Sequence, residues 1–167
     1  MALGPMIVDL TGLTLTDEDC RRLANPMTGG VILFGRNFKN RAQVTKLIRA
    51  IRAIRPNIII SVDHEGGRVQ RFKTDGFAHL PSMRTLGELY AKNPLRALKV
   101  ASQVGYVLAA ELRAVGVDYS YTPVLDLDYG GSTVIGDRAF APSAEVVATL
   151  AKALLHGMLR AGMVGCG

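Results

Sequence analysis

At 167 residues with 49% hydrophobic content, the chain is ordinary for one globular domain. Its formal charge of +6 would permit nucleic-acid binding, but the basic residues are spread along the chain and no Trp supplies a stacking platform. Two cysteines, Cys20 and Cys166, exclude a disulfide framework and have no metal-ligand spacing; both are expected as small buried hydrophobes.

The first predicted element is a strand, Met6-Ile7-Val8-Asp9-Leu10. Asp9 breaks the only early apolar run, so no secretory leader is predicted, and no stretch reaches the length of a membrane span. A cytoplasmic location is the default. Thr16 and Asp19 have the spacing of a capping box for a short helix through Leu23. Val31-Ile32-Leu33-Phe34 is a second strand. Asn40 then caps a helix with Val44, Leu47, Ile48, Ile51 and Ile54 on one face, and Pro56 stops it. On that helix Arg41, Lys46, Arg49, Arg52 and Arg55 read as a solvated face rather than a nucleic-acid surface.

The third strand, Ile58 to Val62, is a β-branched run expected to be buried on both faces. It ends at Asp63-His64-Glu65-Gly66-Gly67-Arg68-Val69-Gln70-Arg71, the most informative segment of the chain. In an α/β protein ligands bind beyond the carboxyl ends of parallel strands. Carboxylates that accept from hydroxyls and guanidinia that donate to oxygens suit a polyhydroxylated ligand there. A polar turn held by a local Asp–Arg ion pair is the plain structural alternative.

A long loop is predicted from Asp63 to about Asn93. Asn93-Pro94 then starts a helix with Leu98, Ala101, Gly105, Leu108 and Leu112 inward, closed by Gly116. Tyr119 to Leu125 is strand four. Pro142-Ser143 opens a helix burying Val147, Leu150, Ala151, Leu154 and Met158, and Met163-Val164-Gly165-Cys166 begins a fifth strand. The alternation of strands and helices predicts a parallel α/β architecture.

The nine-residue segment resembles the substrate-binding signature of family 3 glycoside hydrolases, in the branch of bacterial cytoplasmic β-N-acetylhexosaminidases. Three further segments resemble that branch: Gly29 to Phe38, Thr122 to Asp128, and Val134-Ile135-Gly136-Asp137-Arg138-Ala139-Phe140, where Asp137 replaces a more usual Asn. The resemblance runs from about Met6 to the last residue. It implies the amino-terminal half of a (β/α)8 barrel, four βα units and the start of strand five, with residues 1–167 forming part of a longer catalytic domain. A full barrel takes about 250 residues.

The resemblance further implies hydrolysis of terminal non-reducing N-acetylglucosamine from peptidoglycan-derived muropeptides. The implied mechanism is retaining, and no cofactor or metal is needed. Asp63, Arg71 and Arg138 match the sugar-binding residues. His64, Glu65 and Arg68 are expected behind them, His64 and Glu65 orienting Asp63 and Arg68 pairing with Glu65; the bland role of Arg138 is a pair with Asp137. Asp126 and Asp128 read as loop organisers, and His79 and His156 as a loop and a helix-surface residue. No position matches the family's acid/base or nucleophile, so no catalytic residue is assigned and the chain alone is expected to be inactive. The rival expectation is a non-catalytic sugar-binding or oligomerising half-barrel. Open barrel edges would favour self-association, and neither nucleic acid nor membrane is an expected partner.

Overall fold

A computed structural model describes residues 3–167. Strands β1 (Met6–Asp9), β2 (Thr28–Leu33), β3 (Ile59–Val62) and β6 (Tyr119–Ser120) form one parallel sheet in the order β1-β2-β3-β6. Helices α1 (Asp17–Ala24), α2 (Arg41–Ile54), α4 (Pro94–Val115) and α5 (Ala144–Arg160) complete four βα units. A parallel bridge from Ser120 to Gly165 starts the next strand.

Local chemistry explains the helix starts. Asp19 N–H donates to Thr16 Oγ1 at 3.1 Å and Thr16 N–H to Asp19 Oδ2 at 3.0 Å, the reciprocal box that the spacing predicts. Asn40 accepts from Gln43 N–H at 2.8 Å, and Asn93 from Arg96 N–H at 3.0 Å with Pro94 in the first turn. Gly116 ends α4 at φ 100°, a conformation that side chains disfavour.

Sheet register sorts the residues into two faces. Val8, Val31 and Ile60 lie in register on one face, and Val31 and Ile60 are wholly buried against the helices. Ile7, Ile32, Ile59 and Tyr119 lie on the other, where Ile7 is 47% exposed and the rest are half-buried. Helix α4 packs on α5 where two glycines remove the side chain: a Cβ at Gly105 would stand 2.1 Å from the Leu154 carbonyl oxygen, and one at Gly157 1.9 Å from that of Ser102.

Four expectations need correction. The loop after β3 is ordered: β4 (His64–Gly66) and β5 (Val69–Gln70) form an antiparallel hairpin, and α3 (Met83–Lys92) follows, capped by Ser82. Strand four keeps only Tyr119 and Ser120, because β3 ends at Val62 and offers no partner beyond the Val62 carbonyl, which Tyr121 N–H reaches at 3.3 Å. Cys20 is half-buried and Cys166 exposed, since Cys166 lies beyond the bridge at Gly165. The α2 cations are not all solvated. Arg52 forks onto Asp118 at 2.8 and 2.9 Å, Arg55 donates to the Asn25 and Pro26 carbonyls, and Arg41 to those of Asp75 and Gly76.

No helix among the described residues is long and apolar enough to cross a membrane.

Candidate functional site

Beyond the carboxyl ends of β3 and β6 lies an open cleft of about 310 Å³, lined by Asp63, Glu65, Tyr121, Asp126, Arg138 and Cys166 among others. Extended backbone puts successive side chains on opposite sides. Asp63 and Glu65 therefore face the cleft while His64 between them turns into the core.

Arg71, at the far side of the hairpin, returns to Asp63 and donates to Oδ2 at 3.1 Å. Its guanidinium also lies 5.7 Å from the Phe34 ring centroid, so an aromatic at the end of β2 backs it. The hairpin that brings Arg71 round depends on its glycines. Gly66 has φ 107°, and a Cβ there would meet the Pro81 carbonyl oxygen at 2.3 Å; Gly67 has φ 53° and sits against Ser82. Gln70 stitches the loop from inside. Its amide nitrogen donates to the Phe72 and Ala78 carbonyls, and its amide oxygen accepts from Leu80 N–H.

Arg138 comes from the segment after β6 and forks onto Glu65, Nε to Oε2 at 2.9 Å and Nη2 to Oε1 at 2.7 Å. Glu65 accepting these two bonds holds the Arg138 guanidinium above the ordinary arginine range, and the charges of Asp63 and Asp126 add to that. Arg68 takes the other partner, Asp137, at 2.8 Å, and donates to the carbonyls of Thr133, Val134 and Ile135. The expected pair of Arg68 with Glu65, and the plain alternative of Arg138 with Asp137, are thus both replaced by long-range pairs. Asp137 and Arg138 are adjacent in a 3-10 turn (Gly136–Arg138), so their side chains diverge and each finds a partner on the hairpin.

The structure therefore brings Asp63 and Arg138 into the cleft and joins Arg71 to it through Asp63. His64 is placed differently from its expected role. Its ring is fully buried, 5.8 Å from the Phe72 and 6.0 Å from the Phe77 ring centroid, and neither ring nitrogen has a hydrogen-bond partner among the described residues. It cannot orient Asp63 through its imidazole. Only its backbone is used: His64 N–H donates to Ser120 Oγ at 3.0 Å, and its carbonyl accepts from Ser120 and Thr122 hydroxyls. Burial pushes the imidazole pKa down to about 4, and the charges of Arg71 and Lys73 act in the same sense.

The two downstream aspartates differ. Asp128 organises its loop, pairing with Arg84 and accepting from Gly130 N–H at 2.8 Å; that N–H and the guanidinium hold its carboxyl below the usual range. Asp126 is exposed in the cleft wall, and no hydrogen bond among the described residues engages its carboxylate. Asp126, expected as a loop organiser, instead lines the cleft, and its position one strand end away from Asp63 is the signal for that in the sequence. His79 and His156 are exposed, the first in the loop and the second on α5. No cluster of metal-ligating side chains exists among the described residues.

Parallel βα units with charged side chains converging beyond the strand ends define a barrel-type α/β scaffold. The chain belongs to glycosyl hydrolase family 3: the model of that family's N-terminal domain matches residues 6–167. A beta-hexosaminidase of Bordetella avium is 59% identical over 165 residues, which are 98% of this chain and 47% of that protein. NagZ from Neisseria gonorrhoeae, solved in complex with N-trifluoroacetyl-D-glucosamine, is 50% identical with a TM-score of 0.95, over 99% of this chain and 49% of that one. A family 3 beta-N-acetylglucosaminidase from Paenibacillus matches at 30% identity and a TM-score of 0.85, over 95% of this chain and 30% of that one. The chain spans about half the length of the beta-hexosaminidases it matches.

Proposed function

We propose that the chain carries the sugar-binding part of a β-N-acetylhexosaminidase that removes terminal non-reducing N-acetylglucosamine from peptidoglycan-derived muropeptides in the cytoplasm. The observation that carries this is the meeting of Asp63 and Arg138 in one cleft, with Arg71 held against Asp63 beside it, in a chain 50% identical to a protein solved with an N-acylated glucosamine. Asp63 and Asp126 accept from sugar hydroxyls, and Arg71 and Arg138 donate to ring substituent oxygens.

Charge supports a neutral ligand. Three carboxylates, Asp63, Glu65 and Asp126, meet two guanidinia, Arg71 and Arg138, so an anionic ring such as a uronic acid finds no surplus cation. A retaining mechanism needs an acid/base and a nucleophile about 5–5.5 Å apart across the scissile bond. Neither is assigned in this chain. The groups that break the bond belong, in this proposal, to the part of the longer relatives that the chain does not match. Neither metal nor cofactor enters the scheme.

Titration of the isotopically labelled chain with N-acetylglucosamine, followed by amide and guanidinium resonances, tests this function. Shifts centred on Asp63, Arg71 and Arg138 are expected, with none from glucuronate at the same concentration. Shifts confined to another surface, or equal response to glucuronate, would overturn it. An activated aryl N-acetyl-β-glucosaminide should not turn over on the chain alone.

A further inference from the structure

We infer that Glu65 is a positioning residue for ligand binding: it holds the Nε–Nη2 edge of the Arg138 guanidinium so that Nη1 is presented to the cleft between Asp63 and Asp126. This role rests on the sugar-binding function proposed above.

The geometry of the pair carries the inference. An arginine offers five N–H donors in a rigid planar fork, so fixing two of its nitrogens fixes the direction of the third. Glu65 fixes Nε at 2.9 Å and Nη2 at 2.7 Å. Nη1 is left with a 3.5 Å contact to the Val134 carbonyl, too long and too exposed to hold it. The Glu65 side chain is only 4% exposed, and that of Arg138 25%, so the pair is anchored on the core side and opens on the cleft side.

Glu65 is itself anchored. It belongs to β4, whose neighbour His64 is sunk among Phe72 and Phe77 and whose backbone is tied to Ser120 and Thr122. Arg138, by contrast, sits in a 3-10 turn whose own residues are exposed or half-buried. The rigid partner is Glu65, and the direction of control runs from the hairpin to the arginine. Without it, the Arg138 charge would still neighbour Asp63 and Asp126, and the guanidinium would be free to fork onto either, filling the acceptors that a ligand needs.

Binding of N-acetylglucosamine to Glu65→Gln, Arg138→Ala and the double variant of the 167-residue chain tests this, with Kd read by NMR titration. Glu65→Gln keeps the shape of the side chain and should weaken binding about five- to tenfold, while the same change in the Arg138→Ala background should add nothing. Equal losses in both backgrounds would mean that Glu65 acts through loop architecture and would overturn the inference, as would an unchanged Kd in Glu65→Gln. Should Glu65→Gln fail to fold, Arg138→Lys serves. It keeps the charge, cannot fill both Glu65 oxygens, and should show the same loss; native affinity in Arg138→Lys overturns the inference. Failure of the wild-type chain to bind the sugar would overturn the proposed function instead. The positioning is then read from the Arg138 Nε–H resonance, whose protection from solvent exchange should vanish in Glu65→Gln; protection that persists overturns it.

Discussion

Between β3 and α3 the chain folds mainly on itself: a hairpin forms, Gln70 bonds across it, and Phe72, Phe77 and His64 fill its underside together with Phe38. Between β6 and α5 there is little comparable internal structure beyond a 3-10 turn, and Tyr129 and Val134 are 79% and 66% exposed. That second segment is held largely from outside, by Arg84 on Asp128, Arg68 on Asp137 and the preceding carbonyls, and Glu65 on Arg138. One wall of the cleft is a small core of its own; the other borrows its shape. Changes in the first should cost stability and function together, and changes in the second mostly function.

Phe72→Ala attacks the self-built wall at its centre. Phe72 is fully buried and contacts three rings, so the substitution should destabilise the chain by about 3–5 kcal/mol in chemical denaturation. A loss below about 1 kcal/mol would mean that this cluster is loose enough to collapse around the gap.

Acid should attack the same wall through His64. Its imidazole titrates at about 4 when folded and near 6.5 when free, so between those values the unfolded chain binds the extra proton. The contribution is complete above pH 6.5, is lost as pH falls toward 4, and amounts to about 3 kcal/mol over that window. Denaturation midpoints at pH 7.0, 5.5 and 4.5 should therefore fall more steeply in the wild type than in His64→Gln; parallel slopes would remove His64 from the account.

Gly66→Ala places a Cβ against the Pro81 carbonyl at a φ of 107° and should cost about 1–3 kcal/mol. The change should also weaken Arg71 at Asp63, because the hairpin turn carries Arg71 back. Unchanged melting would show that the turn has room to relax.

Arg68→Ala sharpens the contrast from the other side. The pair with Asp137 has both side chains nearly half exposed, so stability should change by less than about 1 kcal/mol. Limited proteolysis at Gly130–Gly131 should nonetheless accelerate, because the carbonyls of 133–135 lose their common donor. Unaltered cleavage would show that Arg84 and Glu65 suffice to hold the segment.

Much of this molecule is legible along the chain because the forces involved are local. The Thr16–Asp19 box, the Asn40 and Asn93 caps, Pro94 and Gly116 each act within a few residues, and all stand where the spacing predicts. The apolar stripe of α2 and the β-branched runs of β2 and β3 identify the buried face for the same reason: periodicity is a local property. Asp63 at the end of β3 is visible as a cleft residue from strand and glycines alone.

What the chain order could not decide are the choices among partners far apart in sequence. Glu65 has Arg68 three residues away, and Arg138 has Asp137 beside it, yet the pairs form across 73 and 69 residues. Whether Asp126 faces a ligand or a loop, and whether His64 supports Asp63 or fills a core, likewise depend on which side of an extended segment meets the cleft. A charge pairs with the opposite charge that the packed backbone brings nearest in the right orientation, and that backbone is set by the burial of Phe38, Phe72 and Phe77 beneath the hairpin. The sequence by itself determined the four βα units, their order and the kind of site; only the tertiary structure decided the hairpin and α3 after β3 and which carboxylate meets which guanidinium, because those contacts are made through space after the core has formed.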